Sequence, residues 1–286
     1  LTKVEVLMMY TRNAYMPIAT YPEVVADGAV LAATGYAAVL GGTLHVTTFA
    51  VDIPYMSSGL GDFFVDVPGL ARAVEQKSKA ECHRLHALVQ EHAGERLDVY
   101  CTTRTAVLGG VLDAAAGQAR YFDVALLPWS GETMVAQDMA QAVVFGSGRP
   151  TILVPPSARA AALKHIAIAW DGGRVAARAL GDALALLAEG GRVSVLTVQD
   201  EKPLNGSNLA GTLASSLENR GIRAKPITIT LGERSIDEAL QDAALTEGAQ
   251  ILAMGGFGHS RIRDFILGGA TRGIFTQVRL PVLLSH

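Results

Sequence analysis

QILAMGGFGHSRIRDFILGGATRGIF, residues Gln250–Phe275, is the stretch on which the fold turns. Gln250–Met254 is a short apolar run of the kind that forms a buried strand. It breaks at Gly255-Gly256, with Gly258 close behind. A polar, basic loop follows (His259, Ser260, Arg261, Arg263), and Gly268-Gly269-Ala270-Thr271 opens a predicted helix. Glycines bunched between a strand and a helix admit unusual backbone angles and let a ligand approach the main chain closely. A helix N-terminus carries unpaired N–H groups and a partial positive charge, so it favours anions, phosphate above all. Ordinary turn chemistry at a strand end is the competing reading. Three glycines in register, inside a strand–loop–helix context and followed by Thr271, weigh against it.

The spacing Gly255-x2-Gly258-x9-Gly268-Gly269 resembles the nucleotide-binding motif of the universal stress proteins, Gly-x2-Gly-x9-Gly-(Ser/Thr), with its preceding apolar strand. Gly269 stands where the family carries a Ser/Thr hydroxyl, and Phe257 where ATP-binding members are often polar. The resemblance implies that ATP or another adenine nucleotide, with or without Mg, is held by the C-terminal half. It implies cofactor contacts at Asp171 (near the adenosine), Val198 (backbone to adenine), Met254, Gly255, Gly258, His259, Gly268, Gly269 and Thr271. Arg261, Arg263 and Arg272 are near enough in sequence to add positive charge, although a solvated loop is their plainer reading. On residue type alone, Asp171 reads equally well as the turn residue before Gly172-Gly173.

Outward from this stretch, one plan runs twice. In the first half, Val4–Met9, Leu44–Phe49, Leu97–Thr103, Asp123–Leu127 and Pro150–Val154 read as strands. Thr20-x-x-Glu23 with Pro22 fits a capping box for a helix running to Leu40. Asp52–Pro68 reads as a long excursion, and helices are expected over Leu70–His92, Val111–Ala119 and Glu132–Phe145. Pro155-Pro156-Ser157 then interrupts regular structure as a linker does. Strands return at His165–Trp170, Val193–Val198, Ile227–Leu231, Gln250–Met254 and Leu280–Leu284. Helices between them are expected over Val175–Ala188, Leu209–Asn219, Ile236–Leu245 and Gly268–Val278.

Near-continuous apolar strands alternating with helices imply parallel sheets covered on both faces, with a crevice at the carboxyl ends where the strand order switches. The expected architecture is therefore α/β: two tandem, doubly wound, five-stranded Rossmann-like domains, 1–157 and 158–286. The resemblance adds the strand order 3-2-1-4-5 of the adenine nucleotide alpha hydrolase-like fold. It also implies pairing of the two fifth strands, an intramolecular pseudo-dimer, and leaves a homo-oligomer open. The first half has no counterpart to the glycine motif: its fourth strand ends in Pro128-Trp129-Ser130-Gly131, and its first continues into Tyr10-Thr11-Arg12. It reads as a degenerate domain kept for packing, partner binding or a different ligand.

Composition bounds the rest. Half of the 286 residues are hydrophobic, 18% are charged and the net charge is −3, which suits compact domains and gives no sign of a nucleic-acid surface. No apolar run approaches the length of a membrane helix, and the first residues carry no secretory pattern. Cys82 and Cys101 read as two reduced thiols, so a cytoplasmic setting is expected. Cys82, His83, His86 and His92 lie on one predicted helix, but a structural metal site wants about four convergent ligands. Neither Gly-x-Ser-x-Gly nor Gly-x4-Gly-Lys-Ser/Thr occurs, so no base, nucleophile and oxyanion hole come together. The family resemblance allows at most slow ATP hydrolysis. A non-nucleotide structural or interaction protein on the same fold is the alternative, and Gly269 and Phe257 are the residues that favour it.

Overall fold

The computed structural model describes residues 11–54, 66–107, 109–129, 133–199, 208–256 and 269–286. The first half runs β1 (Asn13–Ala19), α1 (Asp27–Leu40), β2 (Thr43–Asp52), α2 (Val67–Ala93), β3 (Asp98–Val107), α3 (Val111–Ala119), β4 (Val124–Pro128), α4 (Met134–Ser147) and β5 (Thr151–Val154). The second half repeats it as β6 (His165–Ala169), α5 (Arg174–Leu184), β7 (Arg192–Val198), α6 (Leu209–Glu218), β8 (Arg223–Ile229), α7 (Ile236–Thr246), β9 (Ile251–Gly255), α8 (Gly269–Thr276) and β10 (Val282–Ser285).

The strands form one ten-stranded sheet, β3-β2-β1-β4-β5-β10-β9-β6-β7-β8, so each half follows the expected order 3-2-1-4-5. All pairings are parallel except the central one, where β5 and β10 run antiparallel through Leu153↔Val282, Ile152↔Leu283 and Thr151↔Leu284. The two expected sheets are thus a single one. Alternation along the strands splits the apolar side chains between two faces. One core lies under α1, α2, α5 and α6, the other under α3, α4, α7 and α8, and each draws on both halves.

Several boundaries depart from the sequence reading. The place of the first strand, between β2 and β4, is taken by Asn13–Ala19, whereas Val4–Met9 lies outside the described residues. Pro17 disguises β1, since proline cannot donate to a ladder. The rungs to β4 are Ala14↔Val124 and Tyr15↔Ala125, one fewer than between β6 and β9, and the pairing stops before Pro17. The Thr20–Glu23 capping box does not form. Thr20 is buried, donates to the Phe49 carbonyl at 2.8 Å and lies 2.6 Å from the Ser78 hydroxyl, tying β1 to β2 and α2. α1 begins instead at Asp27, after Ala26. α2 starts before Leu70, because Asp66 accepts from Gly69 N at 2.9 Å and Pro68 suits a first helical turn. β8 spans Arg223–Ile229 rather than Ile227–Leu231: it is an edge strand, where Pro226 is tolerated. Of the expected excursion, residues 55–65 lie outside the described ones.

Matching backbone hydrogen bonds align the halves residue by residue. Ala125 N donates to Pro150 O as Leu252 N does to Pro281 O, and Trp129 N donates to Val154 O as Gly256 N does to Ser285 O. Asp123 N to Asn13 O answers Gln250 N to His165 O, and Thr43 N to Arg12 O answers Arg192 N to Lys164 O. By this register Pro128 stands for Gly255, Ala19 for Asp171 and Phe49 for Val198.

Candidate functional site

β6 and β9 lie side by side through Ile166↔Ile251, Ala167↔Leu252 and Ile168↔Ala253, so their carboxyl ends open on a common crevice. Beyond β6 the chain turns sharply. The Asp171 carboxylate accepts from Gly173 N at 2.7 Å, and Gly172 takes φ +75°, which a side chain would strain. Asp171 is thus a turn residue, and its exposed carboxylate stands at the crevice mouth. Gly173 then starts α5, which has no side-chain cap and no acid in its first turn, and opens with Arg174. The first turn of α5 adds no negative charge of its own, and the Asp171 carboxylate already takes the N–H of Gly173, the residue before it.

Gly255 is where the two pieces meet. A Cβ there would lie 2.7 Å from the Val175 carbonyl carbon and 2.9 Å from Ala176 N, so the end of β9 rests directly on the first turn of α5. Only glycine permits that approach. Gly256 is held on both sides, its N–H donating to Ser285 O at 2.7 Å and its carbonyl 3.0 Å from His286 Nδ1. Val198 ends the neighbouring β7, half-buried and paired with Ile229. The Thr197 hydroxyl donates to Trp170 O at 2.9 Å and keeps the ends of β6 and β7 together.

Of the sequence-predicted residues, Asp171, Val198 and Gly255 come to one sheet edge. The Met254 side chain is buried in the core under α7 and α8, so only its main chain faces the edge. Gly258, His259 and Gly268 lie outside the described residues, as do Phe257, Arg261 and Arg263. Gly269 opens α8, with Thr271 in its first turn.

The same place in the first half carries other residues. Ala19 replaces Asp171, and Pro128, with no N–H, replaces Gly255. α1 opens with Asp27, engaged by Arg84 at 2.7 and 2.9 Å, and its carboxyl pKa is lowered by those bonds. α4 is capped by Thr133, which accepts from Ala136 N at 3.2 Å. Among the described residues there, Ile18, Leu127, Trp129 and Met139 line a small, mostly apolar cavity of about 30 Å³.

The histidine helix resolves into separate contacts. His86 Nε2 lies 2.9 Å from the Thr48 hydroxyl, and its pKa is lowered by burial and then by His83. The Cys82 sulfur is 3.8 Å from the Thr20 hydroxyl. Among the described residues no group of three or more His, Cys, Asp and Glu could hold a metal, and no helix is long and apolar enough to cross a membrane. Sequence reasoning missed the residues from elsewhere that fix Gly256. These are His286 and, from the opposite half, Val144 and Phe145, whose side chains lie 3.4 and 3.2 Å from where a Gly256 Cβ would be. Trp129 likewise stacks on Phe275 of α8, ring centroids 6.1 Å apart. No local pattern signals contacts so distant in sequence.

Residues 162–286 match the universal stress protein family. No curated protein matches the chain. Among solved structures, a universal stress protein from Archaeoglobus fulgidus DSM 4304 is 14% identical, with 95% of this chain and 97% of that one covered and a TM-score of 0.68. PA1789 of Pseudomonas aeruginosa PAO1, a protein of unknown function, is 13% identical over 96% of this chain and 92% of its own, with a TM-score of 0.51. A universal stress protein in complex with cAMP is 18% identical over 44% of this chain and 99% of its own, with a TM-score of 0.33. At such identities the structural likeness is one of fold.

Proposed function

Residues 162–286 are a universal stress protein domain and the chain carries the same fold a second time ahead of it, and from that premise we propose a cytoplasmic tandem protein that binds adenine nucleotide in its C-terminal domain, 158–286. ATP is the first candidate. One observation carries the reading: glycine at 255 lets the end of β9 rest directly on the uncapped start of α5, at the sheet edge that Asp171 also borders. In this reading main-chain N–H groups beyond that contact meet phosphate, while Asp171 and the Val198 backbone serve the adenosine end. Gly258, His259, Gly268, Gly269 and Thr271 complete the phosphate side in this reading. The N-terminal domain, 1–157, is the non-binding partner, because Ala19 and Pro128 stand where Asp171 and Gly255 do in the other half.

A second reading, a non-nucleotide interaction protein on this fold, is favoured by one feature: Gly269 supplies no hydroxyl where α8 begins. Calorimetric titration with ATP, with and without Mg, separates the two. Binding is expected in the natural chain. Gly269→Ser adds a donor to a charged group, roughly 1.5–3 kcal/mol, and should tighten binding about ten-fold or more. No heat of binding in either protein would transfer the conclusion to the interaction reading.

A further inference from the structure

The sheet ends in two strands, β3 and β8, and they are built differently. β8 is seven residues, RAKPITI; Pro226 has no N–H to offer, and Arg223 and Lys225 place cations along it, with Lys225 2.8 Å from Glu247. Prolines and cations on an edge discourage pairing with another chain. β3 is ten residues, DVYCTTRTAV, with neither proline nor lysine and with Val and Thr throughout, side chains that favour strands. Tyr100 is 56% exposed and Val107 50% exposed, while among the described residues β8 has no large exposed hydrophobic side chain. The Tyr100 ring is also held in place, stacked on His45 at 4.9 Å, with His45 5.0 Å from Phe122. An exposed aromatic already fixed loses little freedom on association.

The charges on β3 select a partner. Asp98 and Arg104 are its only charged residues; both are exposed and, six positions apart, they share a face. If β3 pairs antiparallel with another β3 about Cys101, each Asp98 meets the other chain's Arg104 directly. Tyr100 then faces Thr102, and Val99 faces Thr103. No other self-pairing register sets the two charges opposite. Opposite charges across a strand pair favour it. The Arg104 guanidinium gives one N–H to Gln118 Oε1 at 3.3 Å, which steadies it and leaves other donors for a carboxylate.

We propose that β3 is the interface between two copies of this chain, paired antiparallel about Cys101, so that two ten-stranded sheets join into one. Sedimentation over a concentration series tests this directly. The natural chain should dimerise; Asp98→Arg or Arg104→Asp alone should raise the dimer Kd about ten-fold or more, because two symmetric pairs turn repulsive. The doubly reversed chain, Asp98→Arg with Arg104→Asp, should recover the natural Kd. A short bis-maleimide should link the natural dimer through Cys101 and should fail in Cys101→Ser. A chain that stays monomeric, a dimer indifferent to both single reversals, or a double reversal that does not recover would each overturn the proposal. Should a reversal unfold the chain, the cross-link on the natural protein decides: its absence at Cys101 in a dimer is fatal.

Discussion

His165 enters β6 almost wholly buried, 4% exposed, with Nε2 2.8 Å from the Ser194 hydroxyl. Burial lowers its pKa, with the nearby Arg192 adding in the same direction, and burial lowers those of His45 and His86 too. The unfolded chain therefore binds more protons than the folded one between the lowered pKa and the ordinary value near 6.5. Stability is complete above that value and declines as pH falls through it. The urea midpoint should drop between about pH 7.5 and about pH 5.5, before carboxylates titrate. His165→Asn should flatten that slope; an unchanged slope would remove His165 from the account. At Gly255 the relevant force is steric. Gly255→Ala puts a carbon 2.7 Å from the Val175 backbone, so overpacking should cost roughly 1–3 kcal/mol in urea unfolding and displace the crevice wall.

At the scale of elements, the halves grip each other through reciprocal contacts: Trp129 beyond β4 against Phe275 of α8, and Gly256 beyond β9 against Val144 and Phe145 of α4. Trp129 is buried, so Trp129→Ala should cost roughly 3–5 kcal/mol, and Phe275→Ala a similar amount. Removing both should cost less than the sum by about 0.5–3 kcal/mol, and a strictly additive urea-unfolding cycle would show that the rings do not interact. What the sequence made legible follows the range of each signal. The glycine spacing, the repeated strand–helix order and the Asp171 turn are local patterns, readable from neighbouring residues. Sequence alone misplaces β1 and β8, because a proline marks a break there, while its real cost depends on which rungs a strand lacks. A first strand on Val4–Met9 puts the counterpart of Asp171 in the Tyr10–Arg12 stretch, whereas the register puts it at Ala19. Thr20 looked like a cap because its hydroxyl suits one, yet tertiary contacts with Phe49 and Ser78 take it.

For the molecule as a whole, the antiparallel seam decides how it unfolds. Val282, Leu283 and Leu284 are fully buried where β10 meets β5. Ile152 and Val154 share a core with Ile166 and Leu283, and Leu153 shares the other with Val282 and Leu284. Neither half owns a core of its own. Although 286 residues is long for two-state behaviour, melting should give one transition whose calorimetric and van't Hoff enthalpies agree. Two resolved transitions would mean that the halves fold independently despite the shared cores. Severing the chain sharpens the test. A fragment of residues 158–286 keeps β6–β10 but bares the β10 edge and the apolar side chains it buried. The pairing lost with β5 can be regained from another β10, since the seam joins like elements about a pseudo-two-fold. The fragment should sediment as a homodimer, and adding residues 1–157 should convert it to a heterodimer. A folded, monomeric fragment would show that the seam contributes little to either half.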